Sequence, residues 1–139
     1  MKIIQERFSI KTKGFNDCVD LTDILTQTLH ASRIQSGLIH IFIPGSTAGV
    51  TTIEYESGAV ADLKAAIARM APENMHYNHD ARWGDGNGFS HVRSALIGPS
   101  LTVPVADGRP VLGTWQQVIL IDCDNRPRNR SCMITVMGI

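Results

Sequence analysis

Three glycines fall within five residues at Gly84-Asp85-Gly86-Asn87-Gly88, and the run limits what its surroundings can become. Glycine gives up more conformational freedom on folding than any other residue, so such a run weakens helix and strand alike. Residues 76–100 around it read as a long ordered loop, with a short helical stretch over 91–97 stopped by Gly98-Pro99. This segment holds three of the five histidines, His76, His79 and His91. Loops fixed on a rigid scaffold carry function disproportionately, so a histidine-rich glycine loop is read as a site rather than a connector.

The rest of the chain supplies the scaffold. Its 139 residues suit one domain, residues 1–139, large enough to bury a core without disulfides. Strand character is expected over residues 3–10, 38–43, 50–55, 101–105, 114–124 and 131–137. The 38–43 stretch is apolar at nearly every position, as in a strand covered on both faces, with His40 a satisfied residue within it. Helices are expected after Asp20, which stands as an N-cap with Gly37 as the stop, and after Ser57-Gly58. In the second of these Val60, Leu63, Ile67 and Met70 form a core-facing stripe. Pro104 marks an edge or a bend. The polar run from Asp124 to Arg130 joins the last two strands as an antiparallel hairpin, and Trp115 is assigned to the core. Two or three helices among mostly antiparallel strands imply an α+β fold.

Thirteen basic residues balance thirteen acidic ones, which gives no electrostatic case for nucleic acid or an anionic membrane as partner. The first ten residues interleave charges with apolar residues, unlike a signal peptide. Cys18, Cys123 and Cys132 are odd in number and lack a C-x-x-C spacing, so they read as reduced thiols in a cytoplasmic protein, Cys123 and Cys132 as small buried hydrophobes.

His79, Asp80, Asp85, His91 and His76 are the candidates for acid–base or metal chemistry, since imidazole and carboxylate ligands suit Zn²⁺. Ser46-Thr47-Ala48-Gly49 offers hydroxyls and amides in a tight bend suited to an anion. Among Arg126, Arg128 and Arg130, the last stands at the root of a strand and is singled out for phosphate contact. Glu54 is a carboxylate in an otherwise neutral strand, and Gln116 needs a polar partner.

Taken together, Pro44-Gly45-Ser46-Thr47-Ala48, Thr51-Thr52-Ile53-Glu54, Tyr77-Asn78-His79-Asp80, Gly86-Asn87-Gly88, His91, Gly98-Pro99-Ser100-Leu101-Thr102-Val103-Pro104 and Leu112-Gly113-Thr114-Trp115-Gln116-Gln117 resemble the YjbQ family. These are the UPF0047 proteins, often named secondary thiamine-phosphate synthase, and the likeness runs over residues 38–138. Many members carry His-Thr-Thr after the strand. Here Gly45-Ser46-Thr47 stands in its place, as in a variant branch, while Glu54 is retained. The resemblance implies a sandwich-like arrangement of antiparallel sheets, a homotrimer, and a transferase joining a pyrimidine pyrophosphate to a thiazole phosphate.

The resulting expectation is a metal-assisted enzyme acting on a phosphorylated or pyrophosphorylated small molecule. Glu54, His79, His91 and Asp85 are its catalytic set. Thr47, Asn87, Ser94, Gln116 and Arg130 bind substrate, and His79 with His91 holds a divalent ion, zinc or magnesium. The alternative is a non-catalytic metal or small-ligand binding module using the same pocket. Glu54 is expected to face the His79/His91 pocket, and the two imidazoles to lie within about 10 Å of each other, since each zinc–nitrogen bond spans roughly 2 Å.

Overall fold

The computed structural model describes residues 1–139. Eight strands form two antiparallel sheets. Strands β1 (Lys2–Thr12), β8 (Arg128–Gly138), β3 (Gly37–Phe42), β5 (Ser100–Ala106) and the two-residue β6 (Arg109–Pro110) make one sheet in that order. Strands β2 (Asp17–Asp20), β7 (Gln117–Asp122) and β4 (Ala48–Ile53) make the other. Helices α1 (Thr22–Ser32), α2 (Ser57–Met70), α3 (Asn78–Trp83) and α4 (Gly88–Ile97) complete an α+β architecture.

Alternation along the strands decides the layering. On β8, Cys132, Ile134 and Val136 are buried while Ser131, Met133, Thr135 and Met137 are only half-buried, so one face of the larger sheet is turned inward. That face meets Val50, Val118 and Leu120 of the smaller sheet, with Leu25 and Leu29 of α1 joining the same core. The smaller sheet is covered on its other face as well. Ile119, Ile121 and Cys123 pack with Ile67 of α2, and Leu63 and Ile97 lie against them. β7 is therefore apolar on both faces because both faces are inside.

Several expectations change on this frame. β3 is covered on one side only: Ile39 and Ile41 are buried, whereas Leu38 and Phe42 are exposed, and His40 faces outward with Nδ1 2.9 Å from Thr102 Oγ1. Trp115 lies in the turn before β7 and is 70% exposed, not core. The Asp20 carboxylate does accept the Thr22 N–H at 2.9 Å, but α1 stops at Arg33 in the left-handed conformation, before Gly37. Within residues 76–100 the loop reading missed α3, and the helix expected over 91–97 begins three residues earlier, at Gly88. Gly84 and Gly86 take positive φ between them, and Gly88 lets α4 approach Tyr77, where an added Cβ would meet the Tyr77 Cβ at 2.5 Å. The three cysteines are unpaired; burial pushes the Cys132 thiol up to about 11 and leaves it a hydrophobe.

The largest correction concerns the end of the chain. β7 and β8 are not a hairpin, because they belong to different sheets and the Asp124–Arg128 turn crosses from one to the other. Inward positions on β7 run Val118, Leu120, Asp122 and reach Asp124; those on β8 begin at Arg128 and Arg130 and continue Cys132, Ile134. At this corner the core face changes from apolar to charged on both sheets at once. Arg130 Nε and Nη2 bind the two oxygens of Asp122 at 2.7 and 2.8 Å, and Arg128 Nε and Nη2 bind Asp124 at 2.9 and 2.7 Å. Both carboxylates are 0% exposed. Thr12 of β1 donates to Asp122 and Thr47 donates to Asp124 at 2.9 Å, so four segments end in one network.

A buried charge stripped of its partner costs far more than the pair contributes. Arg130→Met is expected to lower unfolding stability by about 3–5 kcal/mol, because Asp122 is left buried and unpaired. Chemical denaturation monitored by far-UV circular dichroism measures this, and a loss below about 1 kcal/mol, the range of a surface pair, would contradict it.

Candidate functional site

The charged corner forms the floor of a cleft of about 430 Å³ lined by Gly45, Ser46, Thr47, His79, Trp83, Asp85, Asn87, His91, Arg128 and Arg130. Three segments build it: the bend between β3 and β4, the α3–α4 pair with its glycine hinge, and the root of β8. A larger count of apolar residues lines a different cleft of about 380 Å³ between β4 and β5, which holds no titratable side chain.

His79 and His91 sit on α3 and α4 with ring centroids 4.3 Å apart and planes tilted by 39°. Their convergence follows from the Gly84–Gly88 hinge, which folds the two helices back on each other. Asp80 fixes the pairing by accepting the Gly88 N–H at 2.8 Å. Ser94 anchors α4 to the scaffold by donating to the Ala48 carbonyl at 2.6 Å. Gly49 permits that approach, since a Cβ there would meet Ile97 Cγ2 at 2.6 Å. Buried Arg93 adds a second tie, donating from Nε to the Ala71 carbonyl at 2.9 Å and stacking on Phe89.

Thr47, His79, Asp85, Asn87, His91 and Arg130 therefore come together as the sequence suggested, whereas Glu54, Gln116, Ser94 and His76 do not line the cleft. Glu54 lies one residue beyond the far end of β4 and is exposed, so it does not face the imidazoles. It is a carboxylate in water and needs no buried partner. Gln116 serves the turn before β7, accepting from the Gly113 N–H and donating to Thr52 Oγ1 at 3.1 Å. Ser94 is a positioning residue beneath the helix. His76 is exposed and outside the cleft. Asp122, Asp124 and Arg128 were missed as site residues. Their signal was present, for a charge at an inward strand position must find a partner.

The electrostatics follow from burial. Desolvation works to raise the Asp124 carboxyl, but the Asn125 N–H, the Thr47 hydroxyl, Arg128 and the Asn87 amide outweigh it and hold it below the ordinary value. Desolvation lowers His91, and the neighbouring His79 lowers it further, against weaker pulls from Asp124, Asp85 and Asp80. Near neutral pH His91 is thus an uncharged imidazole, a proton acceptor. Nη1 of Arg130 and Nη1 of Arg128 make no hydrogen bond inside the protein, so each guanidinium turns an unused edge outward from its carboxylate. Two buried polar atoms of the site have no hydrogen-bond partner, Asn87 Oδ1 and His79 Nδ1; Asp80 Oδ1 lies 3.5 Å from the latter.

A divalent ion finds a poor match in these residues. A catalytic zinc takes three protein ligands. No group of three histidine, cysteine, aspartate or glutamate side chains is arranged to hold a metal, and the two imidazoles stand alone. The carboxylates closest to the floor are already occupied by arginines.

A sequence profile for the family described as UPF0047 protein YjbQ-like matches residues 6–139. A UPF0047 protein from Methanothermobacter thermautotrophicus is 32% identical over 138 residues, covering 99% of this chain and 94% of that one. The UPF0047 protein YugU of Bacillus subtilis is 35% identical over 130 residues, covering 93% of this chain and 96% of the relative. Among solved structures, a YbjQ-like protein of unknown function from Sulfolobus solfataricus superposes with a TM-score of 0.94 at 27% identity, with 99% of each chain covered.

The cleft predicts a specific titration. In an NMR titration of the imidazoles, His91 should show a midpoint below the ordinary histidine value of 6.5, and His79→Ala should move it upward by removing the neighbouring charge. Because the folded protein then binds fewer protons than the unfolded one, this histidine destabilises the fold as pH falls below 6.5. A midpoint at or above 6.5, or one unmoved by His79→Ala, contradicts the coupling.

Proposed function

Because the chain belongs to the YjbQ-like UPF0047 family, we propose that it is a small-molecule enzyme acting on a phosphorylated or pyrophosphorylated substrate. The observation that carries the reading is the His79/His91 pair set over guanidinium edges that the protein itself leaves unused. The unused Nη1 groups of Arg128 and Arg130 receive the oxyanion, where planar guanidinium donors match phosphate oxygens. His91, uncharged near neutrality, accepts a proton from the substrate's hydroxyl, amine or acidic carbon. Trp83 forms part of the wall.

The transfer implied by the family resemblance asks for the same two elements, an oxyanion cradle that neutralises departing phosphate and a proton acceptor. A homotrimer joins this proposal through the uncovered face of the larger sheet, where Ile3, Met137, Leu38 and Pro104 form one row across four strands and Arg7, Met133, Phe42 and Ser100 another.

A panel of phosphomonoesters and pyrophosphorylated compounds, followed by release of phosphate or pyrophosphate, tests the reading. Saturable turnover is expected, falling by about 10²–10⁴-fold in His91→Ala, the usual contribution of a general base. Stoichiometric binding without turnover by the wild-type protein would make this a binding module, and absence of both would overturn the oxyanion reading. Light scattering should give three times the 15.2 kDa chain mass.

A further inference from the structure

The cleft is bipolar, and its two edges ask different things of a ligand. One edge is donor-only. Arg130 spends Nε and Nη2 on Asp122 and Thr47, and its Nη1 is left over. Gly45 keeps that group open: a Cβ at this position would lie 3.1 Å from Arg130 Nη1, and its φ of +128° disfavours any side chain. Arg128 presents its own unused Nη1 on the same side.

The other edge is an acceptor. Asn87 is 7% exposed, lines the cleft, and places Nδ2 3.4 Å from Asp124 Oδ1. An ionised carboxylate only accepts, so the amide nitrogen must face Asp124 and Oδ1 must face away from it. That oxygen has no partner in the protein. Its side chain does not cap α4 either, so capping does not explain its presence. A buried amide oxygen without a donor is destabilising, a burden that a ligand donor removes. Asp85, exposed on the rim, adds acceptor character to the same edge. The two edges are neighbours, because Asp124 accepts from Asn87 on one side and from Arg128 on the other.

We propose that the cleft selects oxyanions bearing an O–H or N–H donor close to the anionic group, and that Asn87 Oδ1 is the atom that recognises the donor. The ligand class is a phosphomonoester with a hydroxyl or amine within a few bonds of the phosphate. This rests on the oxyanion reading above and narrows it: phosphate at the arginine edge, donor at the asparagine edge.

Trp83 in the cleft wall supplies the probe. It is one of two tryptophans, and Trp115→Phe leaves its emission as the only indole signal. In that background, titrations with ethyl phosphate and 2-hydroxyethyl phosphate compare two ligands that differ by one hydroxyl. The hydroxyl is expected to tighten binding about 5–10-fold, the range of one hydrogen bond to an otherwise unsatisfied group. Asn87→Ala should bring that ratio to about one, and Asn87→Ser, which restores a short acceptor, should recover part of it. Equal affinity of the two ligands for the unsubstituted cleft overturns the proposal without any variant, and so stands even if Asn87→Ala fails to fold. A ratio retained in a folded Asn87→Ala protein overturns it too, while leaving the oxyanion reading intact. If neither phosphate binds, both readings fall together.

Discussion

The bidentate pair between Arg130 and Asp122 is the constraint on which the rest depends. It lies where a sandwich of two sheets would otherwise open to water, and it joins the first residues of β8 to the last of β7. Neither partner is tolerable alone at 0% and 8% exposure. Once they are paired, the chain between them has to cross from one sheet to the other. Asp124 and Arg128 repeat the arrangement one step further out, and Thr12 and Thr47 tie in β1 and the start of β4. Burial of ions in this way contributes little net stability, but it fixes which strands end together.

The same pairs explain why a cleft is found at this corner. Each guanidinium has five N–H donors and its carboxylate can occupy only some of them. The remainder face the space left between the β3–β4 bend and the α3–α4 hinge. Two helices folded back by glycines then bring their imidazoles over that floor. Burial and mutual repulsion favour the uncharged state of His91 there, while the floor stays charged. Structure-holding and ligand-facing roles thus reside in different nitrogens of one side chain.

Much of this was legible in the sequence, because periodicity reports burial. The alternation of β8, the Leu63 and Ile67 part of the α2 stripe and the value of the glycine run for bringing His79 to His91 all follow from local rules, whereas Met70, expected on that stripe, is exposed where α2 ends. What misled was the distance over which those rules act. A polar turn between two strands reads as a hairpin, yet β7 is apolar on both faces and β8 on one, a difference that marks strands in different layers. Asp122 and Asp124 were visible as continuations of the inward set of Val118 and Leu120, and Arg130 of Cys132 and Ile134. Pairing them required knowing that both faces look into the same core. Glu54 failed for the opposite reason: it kept the right parity with Thr52 but fell past the strand's end, at the far side of the sheet from the cleft. Trp115 was placed by its hydrophobicity, although the turn that holds it leaves the ring in water.

The central claim is that one ion pair both closes the sandwich and forms the anion-facing floor. The most direct measurement replaces the pair as a unit, Asp122→Leu with Arg130→Met, and reads stability and phosphate-ester affinity on the same samples. Apolar replacement of a whole buried pair is often neutral, whereas loss of one member is not. The double variant should therefore recover most of the stability lost by Arg130→Met alone and still fail to bind the ester. A double variant that binds like the unsubstituted protein, or whose instability is the sum of the two single changes, would contradict the account.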